Sequence, residues 1–389
     1  MDTYSILQIL GWITVAAVLF LFAATCGFDF GAGMLAPFIG RNDDERRAVI
    51  NTVGPTWDGN QVWLITAGGA IFAIWPRVYA ASFSGLYFAI LLILWSLFLR
   101  PVSFEYRSKL ASPTWRKSWD WALCVGSFLP VLLLGAAVGN LFLGLPFQFN
   151  PISLRFFYGD TMQNAAAFTD LFGLLRPFAL YVGVFCVIMM LMQGASYLVF
   201  RTEGIIQTRA RKVALWTSSV FIILFAIAGF WVSKMIGYVW TPSADPILNP
   251  LNVQVSLEMG GWLSNYHHYS WMILAPVLVF LGAFATLFFS ITRKYLSAFC
   301  ASTLTIFGTL ATWGLSMYPF LMPSSVKPEQ SLTVFNATSS QLSLIGILIT
   351  ALIMVPIIFI YTAFVYRKLW GRNRKMSAEL VKKEEHTLY

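Results

Sequence analysis

An all-α, polytopic membrane protein is what this sequence predicts, with about nine transmembrane helices, an external N-terminus and a cytoplasmic C-terminus. Three observations carry the prediction. Only 11% of the 389 residues are charged, against about 25% in a soluble domain. Hydrophobic residues make up 58% of the chain and gather in runs long enough to cross a hydrocarbon core of about 30 Å. Basic residues crowd alternate loops, the pattern by which membrane proteins record their orientation. A soluble enzyme, a disordered chain and a nucleic-acid-binding module are thereby excluded, and the net charge of +9 reads as a topological signal.

The apolar runs place the spans at roughly 8–36, 53–75, 79–99, 119–144, 164–199, 213–238, 263–290, 296–320 and 339–366. The chain is expected to be a single membrane-embedded subunit over 1–389. Its first helix group covers about 8–144 and its second about 164–366, with a basic cytoplasmic tail at 367–389. Met1–Ser5 carries no basic residue, so the first run reads as a retained helix and not as a signal peptide. One set of loops holds Arg41, Arg46 and Arg47, then Arg100 to Lys117, then Arg201 to Lys212, then Arg293 and Lys294, then the tail from Arg367. Of the 26 basic residues, only Arg77, Arg155 and Lys327 fall in the opposite loops, while Arg176 and Lys234 fall in helices. A rival arrangement with eight spans would lay 53–75 on the surface and expose Arg41, Arg46, Arg47 and Arg77 to the outside, against the positive-inside rule.

Ionisable residues at depth are costly and therefore functional candidates. Asp29 sits before the inner end of the first helix and Asp58 near the inner start of the second, both roughly 8–11 Å below the cytoplasmic surface. Matched in depth, they could pass protons from that side; helix capping or pairing with a nearby Arg is the alternative. Asp120, between Trp119 and Trp121, reads as an interfacial anchor. Asp170 and Arg176 are placed on one helix, each with an interhelical partner, and Lys234 is expected to snorkel.

Two glycine pairs, Gly27/Gly31 and Gly135/Gly139, have the spacing that lets a second helix approach closely. Asp29 points about 200° away from the first pair. The run Trp57-Asp58-Gly59-Asn60-Gln61-Val62-Trp63 is unusually polar for a membrane segment, and a hydrated groove or a contact with another subunit would explain it. Cys26, Cys124, Cys186 and Cys300 lie in apolar stretches without a Cys-x-x-Cys spacing. His267, His268 and His386 lie away from mid-membrane, so no metal or haem site is expected within this chain.

Several stretches resemble subunit II of the cytochrome bd quinol oxidases. They are Gly27–Gly31, Gly40–Asp43, Trp57–Gly69, Phe98–Val102, Tyr106–Lys109, Met322–Ser325, Ala337–Leu342 and His386–Tyr389. The resemblance spans essentially the whole chain. It implies one subunit of a quinol:oxygen oxidoreductase of the bacterial inner membrane, which oxidises quinol, reduces oxygen to water and builds proton-motive force. It implies a partner, subunit I, that ligates haem b and haem d, together with small single-helix accessory subunits. In some relatives a structural quinone is also held. By the same resemblance Asp58 is a proton-path carboxylate at the subunit interface and Trp63 stands at an apolar route for oxygen, with packing as its alternative. Trp57 and Arg100 match family positions with structural or lipid-facing roles, and Asn60 and Gln61 join them as subunit or lipid contacts. A proton-coupled transporter and a purely structural scaffold are the competing readings; paired inverted repeats would favour the first, and the polar run at Trp57–Gln61 disfavours the second.

Overall fold

The computed structural model describes residues 2–150, 156–158, 173–240, 254–369 and 375–383. Its helices are α1 (Thr3–Ile39), α2 (Asp43–Val53), α3 (Trp57–Ile74), α4 (Pro76–Gly85), α5 (Tyr87–Tyr106), α6 (Pro113–Leu143), α7 (Pro177–Arg201), α8 (Gly204–Lys234), α9 (Ser264–His268), α10 (Leu274–Ile291), α11 (Tyr295–Met317), α12 (Gln341–Leu369) and α13 (Ala378–Lys383). Three short antiparallel ribbons pair β1 (Phe147–Phe149) with β2 (Phe156–Tyr158), β3 (Ile236–Trp240) with β4 (Val255–Met259), and β5 (Phe320–Met322) with β6 (Leu332–Thr333).

Among the described residues, eight helices are long and apolar enough to cross a membrane, one fewer than the nine spans expected. The difference is α3, whose polar first turn lowers its hydropathy. It does not lie flat across the bundle, however. Cys26 Sγ donates to the Asn60 carbonyl at 3.1 Å, Trp63 and Ala67 pack on Val18, and Ile74 packs on Val15. So α3 runs antiparallel along α1. The basic segments meet at one end of the bundle. Arg107 binds Asp43 and Asp120, Arg209 binds Glu45, and Lys382 binds Asp44, while Arg211 Nε donates to the Ser290 carbonyl. Arg77 and Arg176 donate to carbonyls at the far end, those of Asn336 and Gly144.

The core gathers around α7, where 61% of the apolar window is buried against 6% for α12. Small residues make this possible. A Cβ added at Gly135 or Gly139 would lie 2.8 Å from Gly183 Cα or 2.6 Å from Ala179 Cα, and one at Gly27 would lie 2.9 Å from Met190 Sδ. The two helix groups therefore pack directly on each other, α1 and α6 clasping α7.

Several local expectations change. The span expected at 79–99 is broken at Leu86 into α4 and α5, and α5 continues to Tyr106. Arg100 is thus a helix residue, not a loop residue. The α7 helix begins at Pro177, with Arg176 as its N-cap and not on its face; proline suits the first helical position because its missing N–H is unneeded there. Asp170 and His386 lie outside the described residues. Residues 375–383 of the tail are docked on the bundle: Met376 N donates to Arg201 O at 2.9 Å, and Val381 is buried against α2 and α8.

One backbone position carries a testable cost. Arg293, in the α10–α11 turn, has φ 61°, a left-handed conformation that costs a side-chain-bearing residue about 1–2 kcal/mol. Arg293→Gly is expected to raise stability by about 1 kcal/mol, read as a higher melting temperature of the purified protein.

Candidate functional site

The chemistry-bearing residues converge at the basic end, where α1, α3, α5, α6 and α12 meet. Here Gly54-Pro55 ends α2 and Thr56 precedes α3 without capping it through its side chain. The first turn of α3 therefore takes its orientation from its neighbours. Trp57 stacks on Phe104 of α5, ring centroids 5.0 Å apart and planes within 10°.

The polar run then splits into two faces. Asp58 and Gly59 are exposed, Trp57 and Gln61 are half-buried, and Asn60 and Trp63 are fully enclosed. Asp58, Val62, Ile65, Gly69 and Phe72 form one outward stripe, at the spacing of a helix face. A Cβ added at Gly59, Gly68 or Gly69 would meet nothing within 4 Å. At these positions the rest of the chain leaves room for a side chain.

The inward face leads to a buried ion pair. Arg100 Nη2 lies 2.9 Å from Asp29 Oδ1, and neither side chain has any exposed surface. Arg100 Nη1 donates to Ser127 Oγ at 2.7 Å, and its guanidinium sits 4.3 Å over the Phe30 ring. Asn60 approaches Asp29 from α3 without reaching hydrogen-bond geometry, and the Tyr366 hydroxyl of α12 donates to Asn60 Oδ1. Arg100, expected in a structural or lipid-facing role, and Asn60, expected as a subunit or lipid contact, are both enclosed by this chain, where each meets polar atoms of neighbouring helices. Asp29 and Asp58, expected at matched depth, lie on opposite sides of α3: Asp29 on α1 toward Arg100, Asp58 outward. Trp63 is 2% exposed and packs with Val18, Ala67, Phe22, Val355 and Ile358.

A second charged network closes the basic end. Asp120 is fully buried and receives Arg107 Nε at 2.6 Å and Arg46 Nη1 at 3.1 Å, while Asp43 receives Arg107 and Arg116. Burial alone would lower the Arg107 pKa, but its hydrogen bonds and attraction to Asp120 and Asp43 outweigh it and raise it further. Burial likewise pushes the Glu45 carboxyl up, yet the Arg41 backbone N–H and the Arg209 guanidinium hold it below its ordinary value. Asp120 is thus the centre of an interhelical network, not the interfacial anchor expected from its flanking tryptophans. Its arginine-rich neighbourhood in sequence was the available signal. The partnership of Asn60 with Tyr366, 306 residues away, had none.

The family model for cytochrome bd terminal oxidase subunit II matches residues 7–369. The chain belongs to the cytochrome bd subunit II family. It is 45% identical to the cytochrome bd-I ubiquinol oxidase subunit 2 of Escherichia coli K12, over 100% of both chains. It is 32% identical to the cytochrome bd ubiquinol oxidase subunit 2 of Bacillus subtilis, over 94% of this chain and 98% of that one. The fold is shared with a chain of the bd oxidase from Geobacillus thermodenitrificans, at a TM-score of 0.68 and 15% identity, covering 93% of this chain and 98% of that chain. Subunit II membership removes the transporter and scaffold alternatives. The family implies haem in the complex. His267 and His268 are exposed on the short α9, not in the enclosed setting that suits an axial haem ligand.

Proposed function

We propose that this chain is the second, non-haem-ligating subunit of a quinol:oxygen oxidoreductase of the bacterial inner membrane, with its N-terminus outside and its basic end in the cytoplasm. In this reading subunit I holds haem b and haem d, oxidises quinol and reduces oxygen to water. The present chain docks against it through the outward stripe of α3 and delivers protons at Asp58. The observation that supports this most is the stripe itself: a carboxylate on a membrane helix, turned away from its own bundle and followed by glycines where an added Cβ would meet no atom of another part of the chain within 4 Å. Such residues are costly against lipid and make sense against a partner helix that approaches closely.

What the side chains can do follows from the same geometry. Asp58, exposed in the first turn of α3, is placed to pass protons to the partner as the partner consumes them. Asp29 joins this route as a second stop, reached past Asn60, its charge balanced by Arg100. Trp57 and Gln61 flank Asp58 as partner contacts. Trp63 and its apolar surroundings are the assigned oxygen route, since oxygen partitions into apolar packing. The reading also includes single-helix accessory subunits and a structural quinone, for which no residue of this chain is assigned.

The test is Asp58→Asn in the intact complex. Turnover is expected to fall at least tenfold, with the haem absorbance spectrum retained; wild-type turnover would remove Asp58 from the proton route. A second expectation concerns docking. Gly69→Leu should leave this chain inserted while co-purification of the haem-bearing partner drops severalfold. Undiminished co-purification would place the interface elsewhere.

A further inference from the structure

The turn that carries Asp58 is weakly fixed by its own sequence. Thr56 does not cap α3 through its side chain; its hydroxyl instead donates to the Val53 carbonyl at 3.2 Å. Gly59 follows Asp58, is exposed, and has open space where a Cβ would stand. A first helical turn with orphan donors and no side-chain cap frays readily. What holds this one is its buried flank, and the centre of that flank is Asn60.

Asn60 is pinned from two helices. Cys26 of α1 donates to its backbone carbonyl, and Tyr366 of α12 donates to its side-chain Oδ1. The second contact also fixes the amide. An amide carries an acceptor oxygen and a donor nitrogen on opposite arms. With Oδ1 taken by the Tyr366 hydroxyl, Nδ2 is the arm left for the Asp29 carboxylate. A flipped amide would turn an oxygen toward that carboxylate. Tyr366 is itself held in place, its ring edge-on to Phe28 at 6.4 Å, although 6% of the apolar window of α12 is buried. The hydroxyl is therefore an inward tie that this outlying helix makes at the basic end.

We propose that Tyr366 is a positioning residue for Asp58: through Asn60 it sets the orientation of the first turn of α3, and so the direction in which the Asp58 carboxylate faces the partner. This rests on the reading of Asp58 as a proton-passing group. Tyr366 touches neither quinol nor oxygen in this role and transfers no proton itself.

The experiment uses the intact haem-loaded complex, with turnover counted per haem. Tyr366→Phe removes the hydroxyl and keeps the ring. It is expected to lower kcat about fivefold, the weight of one neutral hydrogen bond, with the quinol KM unchanged. The infrared carboxyl band of Asp58, identified by its loss in Asp58→Asn, should shift in Tyr366→Phe. Asn60→Ala should reproduce both effects, and the Tyr366→Phe/Asn60→Ala double variant should be no slower than Asn60→Ala alone. Asn60→Asp, which keeps an acceptor for the hydroxyl, should retain a dependence on Tyr366. Wild-type kcat with an unmoved band in Tyr366→Phe overturns the proposal, as do additive losses in the double variant. Loss of haem from Tyr366→Phe also overturns it, since the residue would then serve assembly. If Asp58→Asn itself turns over normally, the underlying reading of Asp58 fails instead, which separates the two failures.

Discussion

Arg100→Met is expected to be among the most damaging single substitutions in this chain, and adding Asp29→Leu to it is expected to restore much of the loss. The two groups are 2.9 Å apart with no exposed surface on either. Removing the cation leaves Asp29 as a buried, uncompensated carboxylate, a loss of about 3–5 kcal/mol. Measured against total stabilities of about 5–15 kcal/mol, that is enough to deplete the folded subunit. Replacing both partners with apolar residues of similar volume removes the penalty at its source and is often neutral or better. Thermal melting of the purified complex, with the yield of membrane-inserted chain, gives the comparison. If Arg100→Met melts like the wild type, the pair does not hold the bundle. The double variant also weighs the part assigned to Asp29 in proton delivery. Restored assembly with slow turnover supports that part, and restored assembly with normal turnover removes it.

Gly31→Ala is the second large effect expected. A Cβ at Gly31 would sit 2.2 Å from the Met190 carbonyl oxygen and 2.7 Å from Gly194 Cα, and a Cβ at Gly194 would sit 2.4 Å from Gly31 carbonyl carbon. The obstacles are backbone atoms, so no rotamer change relieves them. The helices α1 and α7 must separate at the centre of the core, costing about 3 kcal/mol, the upper range for overpacking. Gly229→Ala is the control: it is exposed on α8 with nothing within 4 Å, and in a helix alanine is favoured over glycine by up to about 1 kcal/mol. Reduced melting temperature for Gly31→Ala alone supports the close-packed contact. Equal melting of the two variants would mean that α1 and α7 are not in backbone contact there.

These effects mark where sequence and structure contribute differently. The Gly27/Gly31 and Gly135/Gly139 spacings show that some helix approaches closely, and the structure names α7 as that helix for both. The polarity of Trp57–Gln61 is legible as an anomaly, because polar residues are scarce in spans. Which members turn inward is not legible, since Asp58 and Asn60 differ only by where neighbouring helices stand. The start of α5 departs from expectation for a related reason. Hydropathy registers apolar runs, whereas the break at Leu86 interrupts the helix without interrupting apolarity. Arg100 falls just past the apolar run 79–99 and so reads as a loop residue, but the helix runs on to Tyr106 and turns it toward Asp29 of α1.

By itself, the sequence determined that this is a helical membrane protein of the cytochrome bd subunit II family, with its basic loops gathered to one side. Those properties depend on partition between water and lipid and on runs of local residues, both of which are written along the chain. Only the tertiary structure decided that Asp29 answers Arg100, that Asp120 anchors a network of arginines, and that Tyr366 reaches Asn60. A buried polar atom must find its complement wherever the packing of helices brings one, and that choice depends on contacts between segments far apart in the chain.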